Sequence, residues 1–457
     1  MIYRVRGDNV RLVKFRSNNK LGIVITCFLF LIIIFISLMF YFKSYAVFRE
    51  EKHFNVINGE VQDPGDIYFA YYVDDEITRE IPKKGSGYTL DITKSNCTNG
   101  VTISFDENNY AVITSYENYN ATEYARTRCD LYFKKFDITL SDYIKSLAMY
   151  NSYDLTIDEA GGNIRYIGVN PNNYVSIDGE LWRIIGVMKN IDDGTENKSD
   201  RVKLIRNESI GSYSWDSSDS SVNSGWGINE WSQADIMKLL NPGYESESVG
   251  GSLYWDSKSG NCYYGQNNQT VACDFSDSGM SDVLKNLIGD AIWSLGSTGW
   301  AYDSGYNSYY YKIERGSTNG KECTMGDKCN DTIIRNLTWV GKVGLFYLSD
   351  YGYAMYDGSF INRANCLNIP LLQWSNSNAV NCVSNNWLRD NINSQWSLTP
   401  ARDNGDATHS WYVSANGFVN VPDAAWANGV KPVVYLKPTV KIISGMGTKE
   451  NPFVIGN

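Results

Sequence analysis

An α+β protein tethered to a membrane by one N-terminal helix is what this sequence predicts, and three observations carry that reading. One uninterrupted apolar run, Leu21–Phe42 (LGIVITCFLFLIIIFISLMFYF), contains no charge. Beyond it, short segments rich in Val, Ile and Tyr alternate with turn residues, and only a few stretches show helical spacing. Apart from Cys27, inside the run, every cysteine lies C-terminal to it, and those cysteines come in near pairs.

The apolar run is 22 residues long, and at about 1.5 Å per residue such a helix crosses the roughly 30 Å hydrocarbon core of a bilayer. Arg4, Arg6, Arg11, Lys14, Arg16 and Lys20 precede it against a single acid, Asp8. The excess of bases places residues 1–20 in the cytoplasm and the C-terminal bulk outside. A cleaved signal peptide fits less well, because its apolar core runs about 7–15 residues and ends at a small-residue site. Here the flank YFKSYAVFREE offers only Ala46.

The whole chain carries a net charge of −10, and the basic tail means that the part outside is more acidic still. An acidic ectodomain lacks the basic stripes that nucleic acid or anionic lipid requires, so neither is an expected partner. Of nine cysteines, the eight outside the run are Cys97, Cys129, Cys262, Cys273, Cys323, Cys329, Cys366 and Cys382. On the oxidising side of a membrane these read as disulfides, with about a hundred possible pairings. Sequence neighbours give the simplest assignment: 97–129, 262–273, 323–329 and 366–382, with bridged Cα atoms about 4.4–6.8 Å apart. With no CxxC and only His53 and His409 as histidines, no zinc site and no other cofactor is expected.

Residues 43–62 read as a polar stalk. Residues 63–136 alternate as short strands (IYFAYYV, YTLDI, VTISF, YAVITSY, CDLYF) separated by turns such as KKGSG, the pattern of a small antiparallel β-sandwich acting as a spacer. Residues 137–160 contain a short connector helix that Thr139 or Ser141 can cap. The remaining segment, 161–457, is a larger α+β module. NIRYIGVN and NYVSIDGELWRIIGVM are strands, with Asp178-Gly179 a type I′ hairpin signal, and RVKLIRN extends the sheet. Helical spacing covers Asn229–Leu240, stopped by Pro242-Gly243, and Ser281–Leu295. KVGLFYLS, QWSLTP, SWYVSANGFVNV and GVKPVVYLK close the module as strands, with a second hairpin signal at Asn416-Gly417.

Several of these segments form an ordered series: NIRYIGVNPNNYVSIDGELWRIIGVM, GINEWSQADIMKLLNPGYES, GSLYWDSKSGNCYYGQ, WSLTPARDNGDATHSWYVSANGFV and GVKPVVYLKPTVKI. The series resembles extracellular modules of Gram-positive surface proteins that end in a Gly-Val-Arg/Lys-Pro-aliphatic strand. The segment SNCTNGVTISFDENNYAVITSYENYNATEYARTRCDLYF resembles the sandwich that often precedes them. The closing Trp-containing strands also resemble C-type-lectin-like folds, including formylglycine-generating-enzyme relatives. The resemblance implies a C-type-lectin-like antiparallel sheet with two helices, and recognition as a function. The Glu-Pro-Asn, Gln-Pro-Asp and Trp-Asn-Asp strings of calcium-dependent sugar binders are missing, which removes the support for calcium-bridged binding.

Chemistry-bearing residues are sparse. His409 is the one histidine of the large module, and Cys382 could form a dyad with it only if it were not in a disulfide. Asp192-Asp193-Gly194 departs from calcium-loop spacing and reads as a solvated turn, and Gly445-Met-Gly-Thr-Lys lacks phosphate-loop spacing. The chain does contain 13 Trp and 33 Tyr, residues that supply rigid contact area at little entropic cost. Trp182, Trp293 and Trp387 lie in apolar patterns and read as core. Trp396, Arg402, Asp403, Asp406, His409, Trp411 and Trp426 are the expected ligand contacts, on the argument that the charges of 401–411 have no core to enter and that interface hot spots favour Trp and Arg. The expected function is non-enzymatic recognition of an extracellular protein or glycan by a single-pass cell-membrane protein. A structural envelope role is the alternative, and an extracellular hydrolase ranks third.

Overall fold

At Asp178-Gly179 the backbone takes positive φ at both positions, 52° and 81°, as a type I′ turn demands. That turn joins Tyr174–Ile177 to the 13-residue strand Glu180–Asp192, around which the large module is built. The computed structural model describes residues 67–457 apart from 80–81, 83–85, 92, 99–100, 106–110, 117–126, 150–152, 297, 300–304, 316, 319–320, 323–332, 334–335, 357–362, 377–378 and 403–406. The tail, the apolar run Leu21–Phe42 and the stalk therefore lie outside the described residues. Among the described residues, no helix is long and apolar enough to cross a membrane.

The protein is α+β, rich in strands and poor in helix. Its described residues divide into two compact units, one holding those from 67 to 70 and within 93–131, the other those within 71–91 and 132–457. The division falls inside the segment read from the sequence as one spacer. In the first unit, Asn96–Cys97 pairs antiparallel with the strand that begins at Thr127. Cys97 and Cys129 are direct cross-strand partners joined by a disulfide, with Cα atoms 4.0 Å apart. This lies just under the expected span because the two residues face each other on adjacent strands. Val101–Phe105 and Ala111–Tyr116 form a separate antiparallel pair.

In the second unit the strand Glu180–Asp192 lies at the centre of a nine-stranded sheet. On one side follow Lys198–Arg206, Val433–Tyr435 and Val343–Gly344; on the other, Tyr174–Ile177, Phe453–Gly456 and Lys441–Ser444. Pairing is antiparallel except between Tyr174–Ile177 and Phe453–Gly456, which run parallel. A six-stranded sheet is centred on Gln395–Arg402, flanked by Ser410–Val413 and Ala427–Gly429. One continuous core joins the two sheets. Trp182, Trp215, Trp231, Trp293, Trp374, Trp396 and Trp411 are all fully buried in it.

The helices differ from expectation. The helix Leu140–Ala148 is capped by Thr139, whose Oγ1 accepts from Asp142 N at 3.1 Å. It belongs to the module rather than to a connector: Leu140 and Ile144 are fully buried in the common core, and Leu140 N donates to Val440 O. Instead of two helices, residues 161–457 hold six short ones among the described residues: Asp235–Leu240, Asp282–Leu287, Asn307–Glu314, Leu348–Tyr353, Arg363–Leu367 and Val380–Ser384. The run expected as helix to Leu295 ends at Leu287. Ile288 is already extended, and Ala291–Ser294 is a strand with Ala291 and Trp293 facing the core. KVGLFYLS is a two-residue strand followed by a helix, because the Asp350 carboxylate accepts from Tyr347 N at 2.9 Å and starts a helical turn there.

Two further disulfides brace this unit. Cys262–Cys273 ties the hairpin Ser259–Gly265/Gln269–Asp274, with Cα atoms 5.9 Å apart. Cys366–Cys382 joins the helices Arg363–Leu367 and Val380–Ser384, with Cα atoms 5.7 Å apart. Cys323 and Cys329 lie outside the described residues.

Candidate functional site

Of the contacts expected from sequence, Trp396 and Trp411 are corrected: both are fully buried. Trp396 Nε1 donates to Tyr213 O at 2.9 Å, and the Trp411 ring meets Tyr310 edge-on at 5.5 Å. Residues 395–401 and 410–413 are all buried except Tyr412, which is half-buried, so alternation left no wet face on these strands. Trp426 is exposed, at 53%. His409 is half-buried, its Nε2 3.4 Å from Asp423 Oδ1 and its Nδ1 2.9 Å from Thr408 Oγ1. Arg402 ends a strand opposite Gly299, while its side chain and Asp403 and Asp406 lie outside the described residues. The expected set thus does not form one face: two of its three tryptophans are core. Asp192 and Asp193 form the turn of a hairpin, each accepting a backbone N–H two residues on, from Gly194 at 2.8 Å and Thr195 at 2.9 Å.

Among the described residues, several titratable groups lie in the interior, and two clusters of them matter here. In the first, Asp350 accepts from Lys203 Nζ at 2.6 Å and from Arg165, which also bonds Asp158 at 2.7 Å; all four are at most 1% exposed. Burial would raise the Asp350 carboxyl, yet Lys203 and Arg165 hold it far below the usual carboxylate range. Burial pushes Lys203 down to about 8 against the pull of Asp350. The rings of Tyr347, Trp293 and Tyr435 surround its ammonium at 4.2, 5.5 and 5.5 Å. In the second, burial raises Asp216 well above a normal carboxyl, with Asp235 adding to it, and burial pushes Asp235 to about 6. The charged groups of the first cluster are closed off from solvent and hold the fold together.

The accessible site lies elsewhere, in a cleft of about 210 Å³ where the central strand meets the segment after the last helix. Arg183 forms its inner wall. The residue is opposite Tyr174 in the ladder, and its guanidinium sits 4.3 Å from the Tyr174 ring and 4.5 Å from the Trp387 ring. Its Nε donates to Asn173 Oδ1 at 2.9 Å, and its Nη2 has no hydrogen-bond partner among the described residues. Burial lowers this guanidinium to about 10. Trp387 is fixed in turn by its own Nε1, which donates to Tyr166 O at 2.8 Å.

The other wall is the segment Trp387–Ile392. Asn386 anchors its start by donating to Tyr351 O at 2.6 Å, and Gln395 Nε2 donates to Leu388 O at 3.1 Å. Asp390 is fully engaged. Its carboxylate pairs with Lys431 at 2.9 Å and accepts from Ile392 N and Asn393 N at 2.8 and 3.1 Å. Burial opposes its charge, but Lys431 and those N–H groups bring it below the usual carboxylate value. Arg206, also on the wall, is paired with Glu180. Arg389 donates to Ala415 O at 3.0 Å. Neither Arg183 nor Arg389 forms an ion pair with a carboxylate of the described residues. Asn207 and Glu208 complete the mouth, with Asn207 Nδ2 donating to Glu208 Oε1 at 2.7 Å.

Sequence reasoning missed this cleft, although one signal was available: Arg183 stands between Trp182 and Ile184 in an otherwise apolar strand. Among the described residues no group of three or more His, Cys, Asp or Glu is placed to hold a metal ion. Compared with protein-family models, curated proteins and solved structures, the chain matches none.

Proposed function

We propose that this chain is a single-pass cell-surface protein, N-terminus inside, whose α+β module recognises an extracellular protein or glycan without catalysing a reaction on it. The observation that carries the reading is the Arg183 cleft. It is a small open depression beside the central strand, with a guanidinium clamped between two aromatic rings and left without a counter-charge among the described residues. A pre-organised donor beside apolar and amide groups is what a binding site needs, since little ordering remains to be done on association. Three disulfides among the described residues suit an oxidising compartment, and the apolar run Leu21–Phe42 after a basic tail suits an uncleaved anchor. The ordered series of segments that resembles Gram-positive surface modules, and more distantly C-type-lectin-like folds, agrees with both.

The test is to screen the purified full-length chain, in detergent, on glycan and surface-protein arrays, next to the Arg389→Asp variant. Binding that the variant loses supports the reading; binding that is indifferent to Arg389→Asp and to Arg183→Met overturns the cleft as its seat. On intact cells the C-terminus should be open to added protease. Protection of that end, or a mature protein starting near Ala46, would overturn the anchor.

A further inference from the structure

We propose that the cleft binds an acidic sugar residue, one carrying a single anionic group among free hydroxyls. This rests on the reading of the cleft as the recognition site and specifies what it recognises. The first support is charge accounting. In a chain of net charge −10, Arg183 and Arg389 line one cleft with no ion-pair partner among the described residues, while the other two cations of the wall, Arg206 and Lys431, are neutralised by Glu180 and Asp390. The second is the uncompensated charge. Arg183 is only 8% exposed and lines the cleft with no carboxylate partner among the described residues, and a buried guanidinium without a counter-charge is destabilising until an anion arrives beside it.

The remaining wall decides between kinds of anion. Asn207 and Asn391 offer amides, and Glu208, exposed at the rim, offers a carboxylate that accepts from hydroxyls and repels a second acid group. That combination suits one anion surrounded by hydroxyls and disfavours a run of acidic side chains. Size agrees. The cleft measures about 210 Å³, on the scale of a single sugar ring. The rings of Trp387 and Tyr174 are occupied in clamping Arg183, so specificity comes from the charge and the hydroxyl partners and not from stacking.

Titration calorimetry and ligand-observed NMR on the full-length protein test this. The probes are glucuronate, galacturonate, N-acetylneuraminate and glucose 6-phosphate, set against neutral glucose, galactose and N-acetylglucosamine, and against acetate and phosphate alone. At least one acidic sugar is expected to bind saturably, at least tenfold more tightly than its neutral counterpart and than the bare anions. Arg183→Met and Arg389→Met should each weaken it at least tenfold, and Trp426→Ala should leave it unchanged. Because Arg183→Met removes a clamped core group, its fold is checked by near-UV circular dichroism, and Arg389→Met carries the test if that fold is lost. Equal binding of neutral sugars, equal binding of acetate or phosphate, or no binding of any acidic sugar overturns the proposal. If the arrays instead yield a neutral glycan or a protein whose binding Arg389→Asp abolishes, this inference fails while the cleft stands as the recognition site.

Discussion

Replacing Asp350 with asparagine removes the carboxylate on which two buried cations converge. In the native protein that carboxylate receives Lys203 Nζ at 2.6 Å, Arg165, and Tyr347 N at 2.9 Å. The cluster Asp158, Arg165, Lys203 and Asp350 is then electrically neutral. In the Asp350→Asn variant it carries one uncompensated positive charge at a place where Lys203 and Arg165 are 1% exposed. Arg165 keeps Asp158 at 2.7 Å, so the loss falls on Lys203, which is left with aromatic rings alone. Breaking a buried ion pair from one side costs about 3–5 kcal/mol. Lys203 has one escape, loss of its proton, and its value of about 8 drops further once Asp350 is gone. The destabilisation at pH 7 should therefore sit in that range and shrink as pH rises toward 9, where a neutral amine needs no counter-charge. Urea unfolding of the purified protein, followed by tryptophan fluorescence at pH 6, 7 and 9, measures it directly. Adding Lys203→Met to Asp350→Asn removes the stranded charge and should recover about 2 kcal/mol of the loss. A loss under about 1 kcal/mol at pH 7, or a double variant no more stable than the single one, would refute the argument that these charges hold each other in place.

Other outcomes follow from the same interior. The Asp235 carboxyl is pushed up to about 6 by burial, so the folded state holds its proton more tightly than the unfolded state does. Its contribution to stability is fully present below about pH 4, the unfolded value, and is lost as pH rises through 6. Asp235→Asn should gain stability relative to the native protein between pH 4 and 7, and a flat difference across that window would count against the assignment. Replacing both Cys366 and Cys382 by Ser, a pair 16 residues apart, should lower stability by about 3 kcal/mol, read as a lowered urea midpoint in the same assay. Trp411→Ala should cost about 3–5 kcal/mol, whereas exposed Trp426→Ala should stay within about 0.5 kcal/mol; equal effects would reverse their placement.

What could be seen in the chain beforehand depended on how local its cause was. The turn at Asp178-Gly179 was legible because positive φ at two successive positions selects Asp, Asn and Gly almost regardless of context. Disulfide partners were legible because the bridged residues lie 32, 11 and 16 positions apart. Trp396 and Trp411 were misplaced because their burial depends on elements far away in sequence, such as the helix Asn307–Glu314, whose Tyr310 meets Trp411. The stretch Ser281–Leu295 kept helical spacing past its true end, since Ala291 and Trp293 also satisfy a two-residue period and only Gly289-Asp290 marks the break. The cleft was hidden for a similar reason: Arg183 belongs to the central strand and Trp387 to a segment some two hundred residues later, and nothing local says that they meet. Arg183 among apolar neighbours was the one available hint.

The parallel pairing of Tyr174–Ile177 with Phe453–Gly456 sets an order of events for a growing chain. Early strands of the nine-stranded sheet must wait unpaired on one side until the closing strand has been made, and pairing across such a separation is slow. The hairpin staple Cys262–Cys273 and the helix staple Cys366–Cys382 need no such wait, because each closes a short loop. Both bridges can therefore form before the closing strand has been made. A chain delivered with those two bridges reduced would reach the same last step with both of these loops unclosed.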